Sequence, residues 1–345
     1  MEIRPQPRQE LFLSSPADIT IYGGAAGGGK TWSLLVEPLR HLENEEFGAV
    51  TLRRTQPEIT KEGALWDEAT KLYAHFDANP NQNKLKFTFP SGMTHTFASL
   101  QYETSLDAWR GAQIPLLNFD QLETFTEKQF FYMLSRNRST CGVIPYVRAT
   151  CNPEPGWLAK FLDWWIAKDG YADLSRVGKI RWMTRVGDEI VWGNSKEEVI
   201  EKTGDPEALP LSVTFIVSTV FDNQVLLQQD PKYLANLKAL DFVDQSRLLG
   251  DPKRGGNWKI KPSAGKVVNR DWIDIIPMSE VPKGGVAVRF WDFAATLKSV
   301  KKKGNQDPDF SASVLMKKVG SIYYILDCTN ERLNPAQTDE RVEAQ

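Results

Sequence analysis

A chain of 345 residues, 41% hydrophobic and 25% charged, has the composition of an ordinary soluble globular protein and enough length for two domains with real cores. A formal net charge of −2 carries no global nucleic-acid signature, so any DNA contact must come from local basic patches. No apolar run approaches a membrane span, Met1-Glu2-Ile3-Arg4-Pro5 is not a signal peptide, and Cys141, Cys151 and Cys328 have no metal-ligand spacing; a reducing cytoplasm and no zinc are expected.

Residues 1–155 alternate strands and helices, the pattern of an α/β domain with a mainly parallel sheet. Asp18–Tyr22 is a buried strand. It runs into Gly24-Ala25-Ala26-Gly27-Gly28-Gly29-Lys30-Thr31, which fits the P-loop pattern G-x4-G-K-[ST], and Trp32–Val36 begins a helix. Glycines let backbone N–H groups close around phosphate, Lys30 supplies a full positive charge, and the Thr31 hydroxyl can ligate Mg²⁺. The chain is therefore expected to bind a nucleoside triphosphate, with Trp32 counted among the residues around it.

Further along, Ala49–Leu52 predicts a strand ending at Arg53-Arg54, and a helix is expected from Lys61 to Phe76. Period-2 alternation predicts a hairpin with arms at 85–89 and 94–97. Ile114–Phe119 and Tyr146–Thr150 are two more strands, ending at Asp120 and at Asn152-Pro153. The Trp-rich segment 156–262 has weaker periodicity. Pro262-Ser263-Ala264-Gly265 marks a boundary, followed by β runs at Val286–Asp292, Ser311–Lys317 and Ile322–Asp327.

Asp120, at the end of a buried strand, is placed to hold the water shell of Mg²⁺. In many such ATPases the next residue is a Glu that polarises the attacking water; here it is Gln121, and an amide cannot take the proton. Slow hydrolysis is expected unless another carboxylate substitutes. Glu123 is the nearest, although a loop glutamate ordinarily faces solvent. Asn152, at the next strand tip, can sense the γ-phosphate. Arg110, Arg53 and Arg54 are candidates for the cation that meets developing phosphoryl charge, and Gln9 for the adenine edge.

The order of these pieces resembles the large subunit of a tailed-phage terminase, a DNA-packaging ATPase fused to an RNase-H-like nuclease. The likeness covers nearly the whole chain. Gln9, Gly24–Thr31, Ile114–Phe125 and Thr150–Pro153 follow one another in family order. So do Phe221-Asp222-Asn223 with Asp230–Leu234, Leu248–Asp251 with Gly256-Asn257-Trp258, Val288–Thr296 and Asp307–Ser311. The resemblance implies a P-loop ATPase core at 1–195, a linker subdomain at 196–262 and the first strands of a nuclease domain at 263–345. It also implies ATP and Mg²⁺ (Mn²⁺ or Mg²⁺ for the nuclease), double-stranded DNA, a portal protein, a small terminase subunit and a homo-oligomeric ring. The setting would be the host cytoplasm and, transiently, the procapsid vertex.

Three departures stand out. The family usually has Glu at the position of Gln121. Many relatives carry an Arg inside the nucleotide loop, where Ala25–Gly28 are all small here, so the cation would come from Arg110 or a neighbouring subunit. The chain also stops at Gln345, in the middle of the implied nuclease fold. Such nucleases hold two metals roughly 4 Å apart in a carboxylate cluster. Asp292 is the natural first ligand, with Asp309 either supporting the ligands from behind or merely opening the next strand; efficient cutting is not expected from this chain. Lys298, Lys301, Lys302 and Lys303, and Arg136, Arg138 and Arg148, are candidates for sequence-independent phosphate contact. A helicase or remodelling ATPase, or a non-hydrolysing nucleotide-gated scaffold, would carry the same nucleotide loop.

Overall fold

The structure, a computed structural model, describes residues 4–260, 274–293, 311–320, 322–331, 333 and 335–344. The chain divides into two compact units, Met1–Ala264 and Gly265–Gln345.

The first unit is built on a sheet of ten described strands: β1 Ile19–Gly23, β2 Gly48–Arg53, β3 Asn79–Asn81, β4 Lys86–Thr88, β5 Thr94–Ser99, β6 Leu116–Phe119, β7 Tyr146–Cys151, β8 Ile180–Val186, β9 Glu189–Gly193 and β10 Leu211–Val217. Their order is β3-β4-β5-β2-β6-β7-β1-β10-β8-β9. From β5 to β10 every pairing is parallel, whereas β3-β4-β5 and β10-β8-β9 pair antiparallel at the two edges. Central parallel strands are covered on both faces, so they carry near-continuous apolar runs. Leu116 of β6 packs into one core with Phe47, Trp66, Tyr73 and Phe87, while Leu117 and Phe119 pack into the other with Ile19, Ile21, Val147 and Phe215.

The expected strands and hairpin are present. The helix expected over 61–76 is shorter, Leu65–Tyr73 followed by a 3-10 turn at Ala74–Phe76. Gly63 has φ 71° and Ala64 is extended, so helical backbone cannot begin before Leu65. Within the segment expected to be linker, β10 is a strand of the main sheet, paired in parallel register with β1 from Ile19↔Val213 to Gly23↔Val217. Val213, Phe215 and Val217 are fully buried, and Trp258 meets Phe215 edge-on at 5.8 Å between ring centroids.

Two helices flank the glycine loop. α1 (Pro7–Leu13) stacks Phe12 on Tyr22 of β1, and α2 (Lys30–Val36) follows the loop directly. A buried polar chain fixes α2 to the sheet. Asn118 donates to the Leu34 carbonyl and to Thr51 Oγ1, Thr51 lies 2.7 Å from His95 Nε2, and Tyr73 Oη lies 2.7 Å from His95 Nδ1 while donating to the Leu35 carbonyl. Because Tyr73 spends its proton on Leu35, His95 must donate from Nδ1 and accept at Nε2, a neutral tautomer.

The second unit contains β11 (Val286–Asp292), β12 (Ser311–Val319) and β13 (Ile322–Glu331) in an antiparallel sheet of that order, with a helix at Pro335–Glu343. The β runs expected there are all present. Arg289 donates to Ser313 and Asp327 across it. The expected boundary Pro262–Gly265 lies outside the described residues.

Full burial holds the His95 imidazole down, to about 3 from an ordinary 6.5. As pH falls below about 6.5 the unfolded chain takes up a proton that folded His95 refuses, so stability drops between that pH and about 3. Urea titrations at stepped pH are expected to show a shallower acid loss for His95→Gln than for the wild-type chain.

Candidate functional site

Parallel pairing brings the strand tips to one edge: Gly23 of β1 lies in register with Cys151 of β7 and Val217 of β10, and Phe119 of β6 with Leu52 of β2. In open α/β sheets this carboxyl edge is where ligands bind. The segment Gly24–Thr31 leaves β1 and is pressed from two sides. A Cβ on Gly28 would lie 1.7 Å from Ser218 Oγ at the tip of β10. Gly29 has φ 70°, a left-handed conformation that strains any other residue, and a Cβ there would meet the Gln9 amide at 2.3 Å; at either position a side chain would push its neighbour aside.

The polar groups of the loop are held by distant residues. Buried Gln9 donates from Nε2 to the Gly29 carbonyl at 3.2 Å, and its Oε1 accepts from the Gln6 N–H. Tyr22 donates to the Gly28 carbonyl and Asn223 to the Gly27 carbonyl. Ala26 N–H donates to the Leu248 carbonyl at 2.7 Å, and Gly256 N–H to the Gly24 carbonyl. Ala25 is fully enclosed, and Trp32 is half-buried on α2. Sequence reasoning put Asn223 and Leu248 in family segments but did not bring them to the loop.

Opposite the loop, Asp120 is buried directly after β6. Thr150 of β7 donates to its Oδ1 at 2.6 Å, Arg53 at the end of β2 pairs with its Oδ2 at 2.8 Å, and Thr31 Oγ1 lies 3.4 Å from both oxygens. A hydroxyl and a carboxylate converging from two elements form a hard-oxygen donor set suited to Mg²⁺. Gln121 follows in the left-handed region at φ 63°; its N–H donates to Thr150 Oγ1 at 3.1 Å and its side-chain carbonyl accepts from Arg53.

A second chain runs through the ammonium. Lys30 Nζ donates to the Ala25 carbonyl and, at 2.9 Å, to Asn152 Oδ1; Asn152 in turn donates from Nδ2 to Glu123 Oε1 at 3.0 Å. The other carboxylate oxygen, Glu123 Oε2, is buried with no hydrogen-bond partner. Glu123 is thus turned into the site instead of standing in solvent as a loop glutamate ordinarily does. Burial pushes its carboxyl up to about 7 against the opposing pull of Lys30 and Asn152, and burial pushes the Lys30 ammonium down.

Other candidates lie elsewhere. Arg110 is exposed and paired with Asp107, with no hydrogen bond to the loop. Arg54 is occupied by the Leu100 carbonyl and Gln129. Arg148, expected as a phosphate contact, is buried instead: it donates to the Ala17 and Ser15 carbonyls and pairs with Glu37, because β7 is an interior strand. Arg138 is exposed, and Arg136 stacks on Tyr132. Asp292 is exposed at the end of β11, and among the described residues no group of three or more His, Cys, Asp or Glu side chains is gathered as for a metal. Lys298, Lys301, Lys302, Lys303 and Asp309 lie outside the described residues.

A family model described as the T4likevirus-type terminase large subunit, N-terminal, matches residues 21–275. Among solved structures the chain is similar to the large terminase of a thermophilic bacteriophage, at 12% identity and a TM-score of 0.50, covering 99% of this chain and 74% of that one. The same thermophilic phage terminase in complex with ADP aligns at 14% identity and a TM-score of 0.47, covering 99% and 73%. The HK97 bacteriophage large terminase aligns at 12% identity and a TM-score of 0.41, covering 100% and 66%. At such identities the likeness to the thermophilic phage enzyme concerns the fold. No curated protein matches.

Thr150 is the hinge of the acidic half, since its one hydroxyl serves both Asp120 and the Gln121 N–H. Thr150→Val removes the partner of the Gln121 N–H and the closest hydrogen bond to Asp120, and is expected to cost about 2–4 kcal/mol in denaturant unfolding, whereas Thr150→Ser retains most of the stability.

Proposed function

This chain belongs to the terminase large subunit family of tailed phages, and from that premise we propose that it is a motor that hydrolyses ATP to drive double-stranded viral DNA into a procapsid. The observation that carries this reading is the convergence of Lys30, Thr31 and Asp120 at the carboxyl edge of the parallel central strands, beside a loop whose glycines Gly28 and Gly29 are closely packed.

In this reading the loop amides between Gly24 and Lys30 cradle the phosphates, except that of Ala26, which is given to the Leu248 carbonyl, and the Lys30 ammonium pairs with the terminal ones. Thr31 and Asp120 would hold Mg²⁺, which supplies charge neutralisation of the triphosphate when bound. Gln9, fixed on α1 between the Gln6 N–H and the Gly29 carbonyl, is the adenine-edge candidate. Asn152 touches Lys30 on one side, and its neighbours are held from the other: Arg247 donates to the Pro153 carbonyl at 3.0 Å and pairs with Glu154 at 3.2 Å. A change in phosphate occupancy at Lys30 therefore has a short path to the helix Phe242–Leu248, which is how hydrolysis would become movement.

The division into an ATPase core at 1–195, a linker subdomain at 196–262 and a nuclease domain from 263 belongs to the same reading, with the amendment that β10 serves the core sheet. So do a ring of subunits, a portal and a small terminase partner, and an arginine supplied by Arg110 or by a neighbouring subunit. Exposed Arg138 and half-exposed Arg136 are candidates for sequence-independent contact with the DNA backbone. For an endonuclease, Asp292 is a first acidic ligand; alone it does not make a two-metal centre.

Isothermal calorimetry with Mg-ATP is expected to show binding that Lys30→Ala weakens on the order of 100-fold, about 2.7 kcal/mol, the worth of a charged hydrogen-bonding group. Absence of binding by the wild-type chain would end the motor reading.

A further inference from the structure

ATP hydrolysis needs a group to receive the proton of the attacking water, and residue 121 cannot be it. Gln121 carries an amide, and its side-chain carbonyl is already engaged by Arg53. The left-handed turn at Gln121 is what redirects the chain. Its carbonyl accepts from Thr124 N–H and Oγ1, winding residues Leu122–Thr124 into a 3-10 turn. Leu122 and Phe125 on either side are buried in the core, and Trp157 donates to the Phe125 carbonyl at 2.7 Å. The turn is therefore pinned at both ends, and Glu123 is the residue it delivers to the nucleotide loop.

Resting on the ATPase reading above, we propose that Glu123 is the catalytic carboxylate of this motor. Its Oε1 is oriented by Asn152, the side chain that also holds Lys30, so the carboxylate sits two hydrogen bonds from the ammonium that meets the terminal phosphate. Its Oε2 is enclosed and unpartnered, the oxygen of this carboxylate not already committed. Rival carboxylates are spoken for. Asp120 is bound by Thr150 and Arg53, Glu37 lies between Arg40 and Arg148, and Glu154 is half-exposed and paired with Arg247.

In the step, the water oxygen forms a bond to the γ-phosphorus as the bond from that phosphorus to the β–γ bridging oxygen breaks. The bonding pair leaves with ADP, and the water proton passes to Glu123, from which it is released to solvent. Burial already holds this carboxyl near neutrality, where it can accept and return a proton.

The test uses the full chain and the isosteric variant Glu123→Gln, which keeps a carbonyl for Asn152. Mg-ATP binding by calorimetry is expected to stay within about threefold of wild type, while turnover falls by roughly 10²–10⁴-fold, the range for losing a general base. Nucleotide recovered from the variant after incubation is expected to be ATP, and from wild type ADP. Wild-type turnover in the variant overturns the assignment and leaves the ATPase reading intact. Loss of Mg-ATP binding in the variant also overturns it, since Glu123 would then be a structural support of the loop. A wild-type chain that binds Mg-ATP but never converts it overturns the assignment together with the hydrolysing motor and leaves only a nucleotide site; one that does not bind removes that site as well.

Discussion

A buried carboxylate has to be paired, because an isolated charge out of water costs several kcal/mol. Asp120 meets that requirement with partners from three separate places: Thr150 on β7, Arg53 at the end of β2 and Thr31 on α2. The pairing rule acts as a clamp. If the tips of β2, β6 and β7 slipped by one residue, side chains would change faces and the carboxylate would lose its partners. The acid that faces magnesium in the proposed motor is thereby also the group that keeps the site edge in register.

The same economy governs the loop. Its carbonyls and amides are satisfied by residues some two hundred positions downstream: Asn223 at Gly27, Leu248 at Ala26 and Gly256 at Gly24. A Cβ on Gly255 would lie 2.6 Å from the Gly24 carbonyl oxygen, so this segment approaches backbone to backbone. Backbone groups that cannot reach water must find protein partners. Rearrangement of the nucleotide loop therefore either keeps these bonds or breaks them, and the segment 220–258 feels both outcomes.

Much of the first unit was legible locally. The alternation at 86–88 and 94–99, the apolar run before Asp120 and the glycine loop between strand and helix each state their conformation within a few residues. The shorter helix at Leu65–Tyr73 turned on one glycine in a left-handed conformation, which a helical period does not register. β10 escapes a local reading for a different reason. Leu211–Val217 is a strand by composition, but that it inserts beside β1 is a pairing across nearly two hundred residues, and nothing in either segment names the other.

By itself the sequence determined the chemistry available: a glycine loop with Lys30 and Thr31, an aspartate at a strand end, and an amide where a carboxylate is usual. Those follow from residue identity and short-range spacing. Only the tertiary structure decided which of the remaining groups meet that chemistry. It enclosed Arg148 within the sheet, left Arg110 outside, and turned Glu123 inward through Asn152 to Lys30. The reason is physical: a side chain's charge is written in its residue, but its burial and its partners are set by elements that fold against it from elsewhere in the chain.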